Sequence, residues 1–270
     1  MISHTELLNQ LWNQYVAITP SAKTIHALFE AEGEQIENDH IAIRTYDDPR
    51  VGIEVLEIPF LKAGYQRSGE YVFEAKKLFA RHYQHTTDAT APKVFISELK
   101  LSLCSSYIQE TVAQLLNSCP SELWSDESLL LKGRVWGTPS WDVYERLREE
   151  SEYAAWMYIY GFCANHFTVN VNALKAFESL EAVNDFLESK GFALNASGGK
   201  IKGTPAQLLE QSSTLADMRP IAFAEGTHEI PSCYYEFARR YPTATGELYS
   251  GFIAASADKI FESTDKKLRM

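Results

Sequence analysis

Apolar positions recur at helical spacing in the first part of the chain. Between residues 5 and 33, Leu7, Leu8, Leu11 and Trp12, and then Ile25, Leu28 and Phe29, predict helices. NDHIAIRTY (38–46) alternates instead and predicts a strand. VGIEVLEIPF (51–60) alternates in part and is closed by Pro59. EYVFEAKKLFAR (70–81) predicts a helix with Val72, Phe73, Leu78 and Phe79 inward. RHYQH and KVFISELKLSL predict strands, and IQETVAQLLNS a helix.

The middle of the chain, 118–160, reads as an insertion. Its first part is rich in Ser, Pro and Trp, and WDVYERLREESEYAAWMYIYG is helical in character. FCANHFTVNV then predicts a strand, and SLEAVNDFLESKGF a helix with Ser at its start and Gly191 at its end. ALNASGGKIKGTPAQ is a turn-rich hairpin region. LLEQSSTLAD, RPIAFAEG and PSCYYEFARR each predict a strand. The expected organisation is one domain. It has N-terminal helices (1–37), a first module (38–117), the insertion (118–160) and a second module (161–262).

Composition narrows the class. The 270 residues, 45% hydrophobic and 23% charged, suit a globular protein with a sizeable core. A formal net charge of -11 disfavours nucleic acid and anionic membranes as partners. No segment is apolar for long enough to span a bilayer, and the first residues lack the basic start and apolar run of a secretory signal. Cys104, Cys119, Cys163 and Cys233 are scattered without a paired motif, as expected of free thiols in a reducing cytoplasm. The pattern assigns no oligomeric state.

The candidate chemistry begins in the 38–46 strand. His40, Ala42 and Arg44 share one face, and Ile41, Ile43 and Thr45 the other. ANHFTVNV (164–171) repeats the pattern: a polar residue, a His, then alternation, with His166, Thr168 and Asn170 on one face. In CYYEFARR, Tyr234, Glu236 and Ala238 share a face, and Glu236 is a lone carboxylate among aromatics. Burying it unpaired would be costly, and a metal would remove that cost. Two His and one carboxylate with open positions form the facial arrangement of non-heme Fe(II) oxygenases.

The segments DHIAIRT, NHFTVN, LLEQSSTLAD with the later FAEG, and YYEFARRYP spread over residues 38–243. Together they resemble the 2-oxoadipate dioxygenase/decarboxylase family of the vicinal oxygen chelate superfamily. The resemblance implies an α+β fold of two βαβββ modules forming an open barrel around a metal, here with added N-terminal and inserted helices. It implies His40, His166 and Glu236 as metal ligands and Arg44 as the residue that binds a substrate carboxylate. It also implies Fe(II) as the cofactor, though another divalent metal could replace it in a purified sample. The implied reaction is that of a 2-oxo acid, 2-oxoadipate, with O2, giving 2-hydroxyglutarate and CO2, in lysine catabolism. Gln211, Ser213 and Tyr234 are candidates to line the pocket or hydrogen-bond a ligand.

Other readings stand beside these. Arg44 could pair with Asp47 or Asp48 at the surface, and Gln211 and Ser213 could form a polar strand face. His82 and His85, three apart, fall on opposite faces of a strand and do not make a metal pair. SGGKIKGT lacks phosphate-loop spacing and predicts a hairpin turn. Arg239 and Arg240 predict a solvated face or a structural ion pair, and Trp124, Trp136, Trp141 and Trp156 core or cover. The alternative activity is a non-oxidative, glyoxalase-like lyase, isomerase or hydrolase, which a fourth protein ligand would favour. A metal-free binding protein is the third reading.

Overall fold

The computed structural model describes residues 2–264. Helices α1 (His4–Ile18) and α2 (Pro20–Ala31) precede β1 (Asn38–Tyr46). Short helices α3 (Ile53–Leu56) and α4 (Ile58–Lys62) lead to β2 (Tyr65–Phe73), β3 (Leu78–His85) and β4 (Lys93–Leu99). Helices α5 (Ser106–Asn117), α6 (Trp141–Glu150) and α7 (Glu152–Tyr160) follow. The second half holds β5 (Ala164–Asn170), α8 (Leu180–Ser189), β6 (Lys202–Thr204), β7 (Leu209–Ser213), β8 (Met218–Phe223), β9 (Gly226–Pro231), β10 (Glu236–Arg240) and α9 (Ala254–Ile260). No helix among the described residues is long and apolar enough to cross a membrane.

Among the described residues, eight strands form one sheet in the order β2-β3-β4-β1-β5-β10-β7-β6. Its halves mirror each other. β1 runs parallel to β4, as β5 does to β10, and β3 and β7 pair antiparallel outside them. β1 and β5 join the halves antiparallel, with Ala42 opposite His166. This is the paired βαβββ arrangement. Helix α9 packs against β2 and against β6 and β7, at opposite edges of the sheet, so the sheet must curl around to meet it.

Alternation sorts the side chains. Phe167 and Phe237 point to the convex face, where Tyr15 of α1 and Phe29 of α2 cover them at ring separations of 5.2 and 6.1 Å. Each such buried ring contributes about 1.5–3 kcal/mol. His40, His166 and Glu236 are thereby turned to the concave face.

Several expectations change. Residues 70–81 form the β2–β3 hairpin, not a helix. Lys77, in the left-handed region at φ 58, closes the turn, and pairing across the hairpin outweighs the helical preference of the EAKK run. The 51–60 stretch is helical, and Pro59 sits in the first turn of α4, where its missing N–H costs nothing. RPIAFAEG is a strand, but β8 pairs only with β9, a strand not read from the sequence, in a separate hairpin. The strand that completes the barrel is the short β6, within the region read as a hairpin turn. PSCYYEFARR is not one strand: Pro231 ends β9, and β10 begins only at Glu236.

Candidate metal centre

Three strands bring three potential ligands together. His40 of β1, His166 of β5 and Glu236 of β10 offer ligand atoms within 4.8 Å of one another, and all three are buried. His166 Nε2 lies 3.2 Å from Glu236 Oε2, and His40 Nε2 lies 3.5 Å from Oε1. The register explains the convergence. Ala42 faces His166, Thr168 faces His40, and Glu236 faces Thr168.

Each histidine is oriented by the residue before it. His40 Nδ1 lies 2.8 Å from Asp39 Oδ1, and His166 Nδ1 lies 3.0 Å from Asn165 Oδ1. Both partners are acceptors, so each Nδ1 is placed to donate to its neighbour and each Nε2 faces the centre. Asp39 is itself held by a two-pronged bond from the buried Arg240, Nε to Oδ2 at 2.6 Å and Nη2 to Oδ1 at 2.8 Å. Burial alone would raise the Asp39 pKa, but Arg240 and His40 outweigh it and hold the carboxyl well below its usual range. Gln211 Nε2 donates to Glu236 Oε1 at 2.6 Å and fixes that carboxylate.

The donor set fits a divalent cation. Burial, followed by the charges of His40 and Arg44, holds the His166 pKa well below its usual value, so its ring is neutral. Its bare Nε2 then faces Glu236 Oε2, a buried oxygen with no hydrogen-bond partner. Two acceptors 3.2 Å apart repel unless a cation or a proton sits between them. Burial also raises the Glu236 pKa, partly opposed by His40 and Gln211. A bound cation would remove that penalty. Among the described residues no fourth ligand joins the cluster.

Arg44 is buried, while Asp47 and Asp48 pair with Lys100 and Arg50. Its guanidinium carbon lies 5.0 Å from the ring centroids of both Tyr153 and Trp156. It faces the Tyr234 hydroxyl and lines a pocket of ≈ 190 Å³ with Lys76, Lys77 and Thr264. Tyr234 stacks on His166 at 4.7 Å. Ser213 bonds Ser263 Oγ at 2.7 Å and does not line the triad cavity, whereas Gln211 does. His82 packs against Phe252 inside the barrel, while His85 bonds the Ala63 carbonyl. Arg240 is the structural ion pair, and Arg239 is half-buried. Trp136 and Trp156 are core; Trp124 and Trp141 are half-buried. The four cysteines are free.

The sequence profile of the 2-oxoadipate dioxygenase/decarboxylase family matches residues 5–247. The chain belongs to this family. The chloroplastic 2-oxoadipate dioxygenase/decarboxylase of Arabidopsis thaliana is 34% identical over 96% of this chain and 76% of its own length. The crystal structure of Oryza sativa hydroxyglutarate synthase in complex with 2-oxoadipate is 33% identical, with a TM-score of 0.91 over 97% of this chain and 92% of its own. A Shewanella frigidimarina protein named as a hydrolase is 46% identical, with a TM-score of 0.89, covering 94% of this chain and 99% of its own.

Several residues around the site were not singled out from the sequence. Asp39 and Asn165 had a visible signal, a polar residue before each histidine. Phe95 and Phe252 had none, because only the folded sheet brings them to the triad.

Proposed function

We propose that this protein is an Fe(II)-dependent dioxygenase/decarboxylase that converts 2-oxoadipate and O2 to 2-hydroxyglutarate and CO2. The observation that carries this reading is a buried set of two histidines and one carboxylate, without a fourth protein ligand among the described residues, in a chain of this family. His40, His166 and Glu236 would hold the metal. Once bound, Fe(II) would supply Lewis acidity and the electrons that let O2 react. The protein's own part is positioning. Asp39, Asn165 and Gln211 fix the ligand rotamers. Arg44 holds a substrate carboxylate with its planar fork, and Tyr153 and Trp156 hold Arg44. The aromatic walls exclude water. The 2-oxo acid is both reductant and substrate, so O2, CO2 and product balance one to one without another co-substrate. A cytoplasmic location and a place in lysine catabolism belong to the same proposal.

The test is product analysis on protein reconstituted anaerobically with Fe(II). With 2-oxoadipate, 2-hydroxyglutarate and CO2 form only when O2 is admitted. Turnover that proceeds without O2, or better with Zn(II) or Ni(II), would support the glyoxalase-like alternative instead.

A further inference from the structure

The triad lies at the bottom of a cavity of only ≈ 20 Å³, lined by His40, Phe95, His166, Gln211, Glu236, Phe252 and Ile260. That is room for about one water, whereas sites for small molecules span roughly 300–1,000 Å³. A 2-oxo acid does not fit beside the triad in this arrangement. The groups in its way come from one segment, residues 249–264. The Phe252 ring stands edge-on to His40 at 4.8 Å and lies 4.9 Å from Phe95 and 5.3 Å from His82. Ile260, at the end of α9, is buried beside it.

This segment belongs to no strand of the sheet. Helix α9 spans the open side of the curled sheet between β2 and β6. Backbone bonds tie its two ends, Tyr249 N to Tyr241 O at 3.0 Å and Ala216 N to Ser263 O at 3.1 Å, and side chains hold it between them. Arg240 Nη1 donates to the carbonyls of Tyr249 and Gly251 at 2.9 and 2.8 Å. The Tyr71 hydroxyl accepts from Phe252 N at 3.1 Å. Asn195 Nδ2 donates to Lys259 O and to Ser263 Oγ, and Ser213 meets Ser263 Oγ at 2.7 Å. The side-chain bonds can be exchanged for water, and the two backbone bonds belong to no ladder of the sheet. Arg240 would keep its fork on Asp39, and so the His40 rotamer, when its bonds to the segment open.

We infer that residues 249–264 form a lid that seals the triad through Phe252 and Ile260, and that a 2-oxo acid reaches the metal only when this segment swings out. Thr264, at its far end, lines the ≈ 190 Å³ pocket over Arg44, so lid withdrawal joins that pocket to the triad and gives the substrate carboxylate its route to Arg44. The inference rests on the proposed reading for its ligand, but the lid itself is testable without substrate.

The test is a reversible staple. Ser213 and Ser263, with hydroxyls 2.7 Å apart, are close enough for Ser213→Cys/Ser263→Cys to form a disulfide. Co(II) is loaded into the reduced protein, which is then oxidised, and loss of the metal to a chelator is followed by the visible spectrum. The oxidised form is expected to lose Co(II) at least tenfold more slowly than the reduced form, and reductant restores the faster rate. Single-cysteine variants show no such change. Equal rates in the two forms overturn the lid. Phe252→Ala supplies an independent arm: it speeds metal loss, and an unchanged rate also overturns the lid. Anaerobic addition of 2-oxoadipate should alter the Co(II) spectrum of the reduced form and leave the stapled form unaltered; alteration in both overturns the lid. If 2-oxoadipate alters neither form nor wild type, the substrate assignment falls, while the chelator rates still decide the lid.

Discussion

Glu236 and Phe95 stand at matching places in the two halves of the sheet. Glu236 faces Thr168, two residues beyond His166, and Phe95 faces Ala42, two residues beyond His40. A symmetric site would carry a fourth ligand at position 95. An apolar ring lines the cavity there instead and would leave one side of a bound metal to exogenous ligands.

Phe95→Glu should therefore complete a four-ligand site. The variant is expected to retain one metal per chain but to lose O2 uptake with 2-oxoadipate. Metal analysis beside an oxygen electrode checks both. Uptake at the wild-type rate would show that the open face is not where the chemistry occurs.

Asp39→Asn weakens the hold on His40 and strands the Arg240 charge. Metal affinity should fall roughly 10- to 100-fold. Stability should fall by about 3 kcal/mol, because one partner of a buried pair is lost. Adding Arg240→Met should recover stability without recovering metal affinity. Competition with a metal indicator and urea unfolding separate the two effects.

Arg44→Met should raise KM for 2-oxoadipate by roughly 10- to 100-fold, the loss of a charge-assisted bond worth about 1.5–3 kcal/mol. Metal content should not change, since Arg44 is outside the ligand cluster. An unchanged KM would assign the carboxylate to another group.

His82 has a pKa pushed down from 6.5 to about 4, by burial first and then by Arg240, Lys93 and His40. The unfolded chain takes up this proton near 6.5 and the folded chain only near 4. Stability should thus fall as pH drops through that window. His82→Gln should shrink the loss between pH 7 and pH 4.5, measured as the difference from wild type in urea unfolding. An identical difference at both values would contradict the buried neutral histidine.

The sequence carried the site more legibly than the connecting elements. His40, His166 and Glu236 each stand in an alternating strand, where parity alone gives the face. The EAKK run at 74–77 misled because helical preference is local, while the β2–β3 pairing that overrides it is not. Residues 202–204 make too short a strand for alternation to register, and β9 is split from the barrel by its own hairpin. Phe252 and Ile260 come to the triad from the C-terminal segment through sheet closure, which no spacing in the sequence encodes.

The most direct measurement is O2 uptake by anaerobically purified, Fe(II)-reconstituted protein given 2-oxoadipate, with His166→Ala and Glu236→Ala beside wild type. The account predicts uptake equimolar with CO2 and 2-hydroxyglutarate in wild type and none in either variant, both folded. Uptake that survives in the variants, or its absence in wild type with metal demonstrably bound, would contradict it.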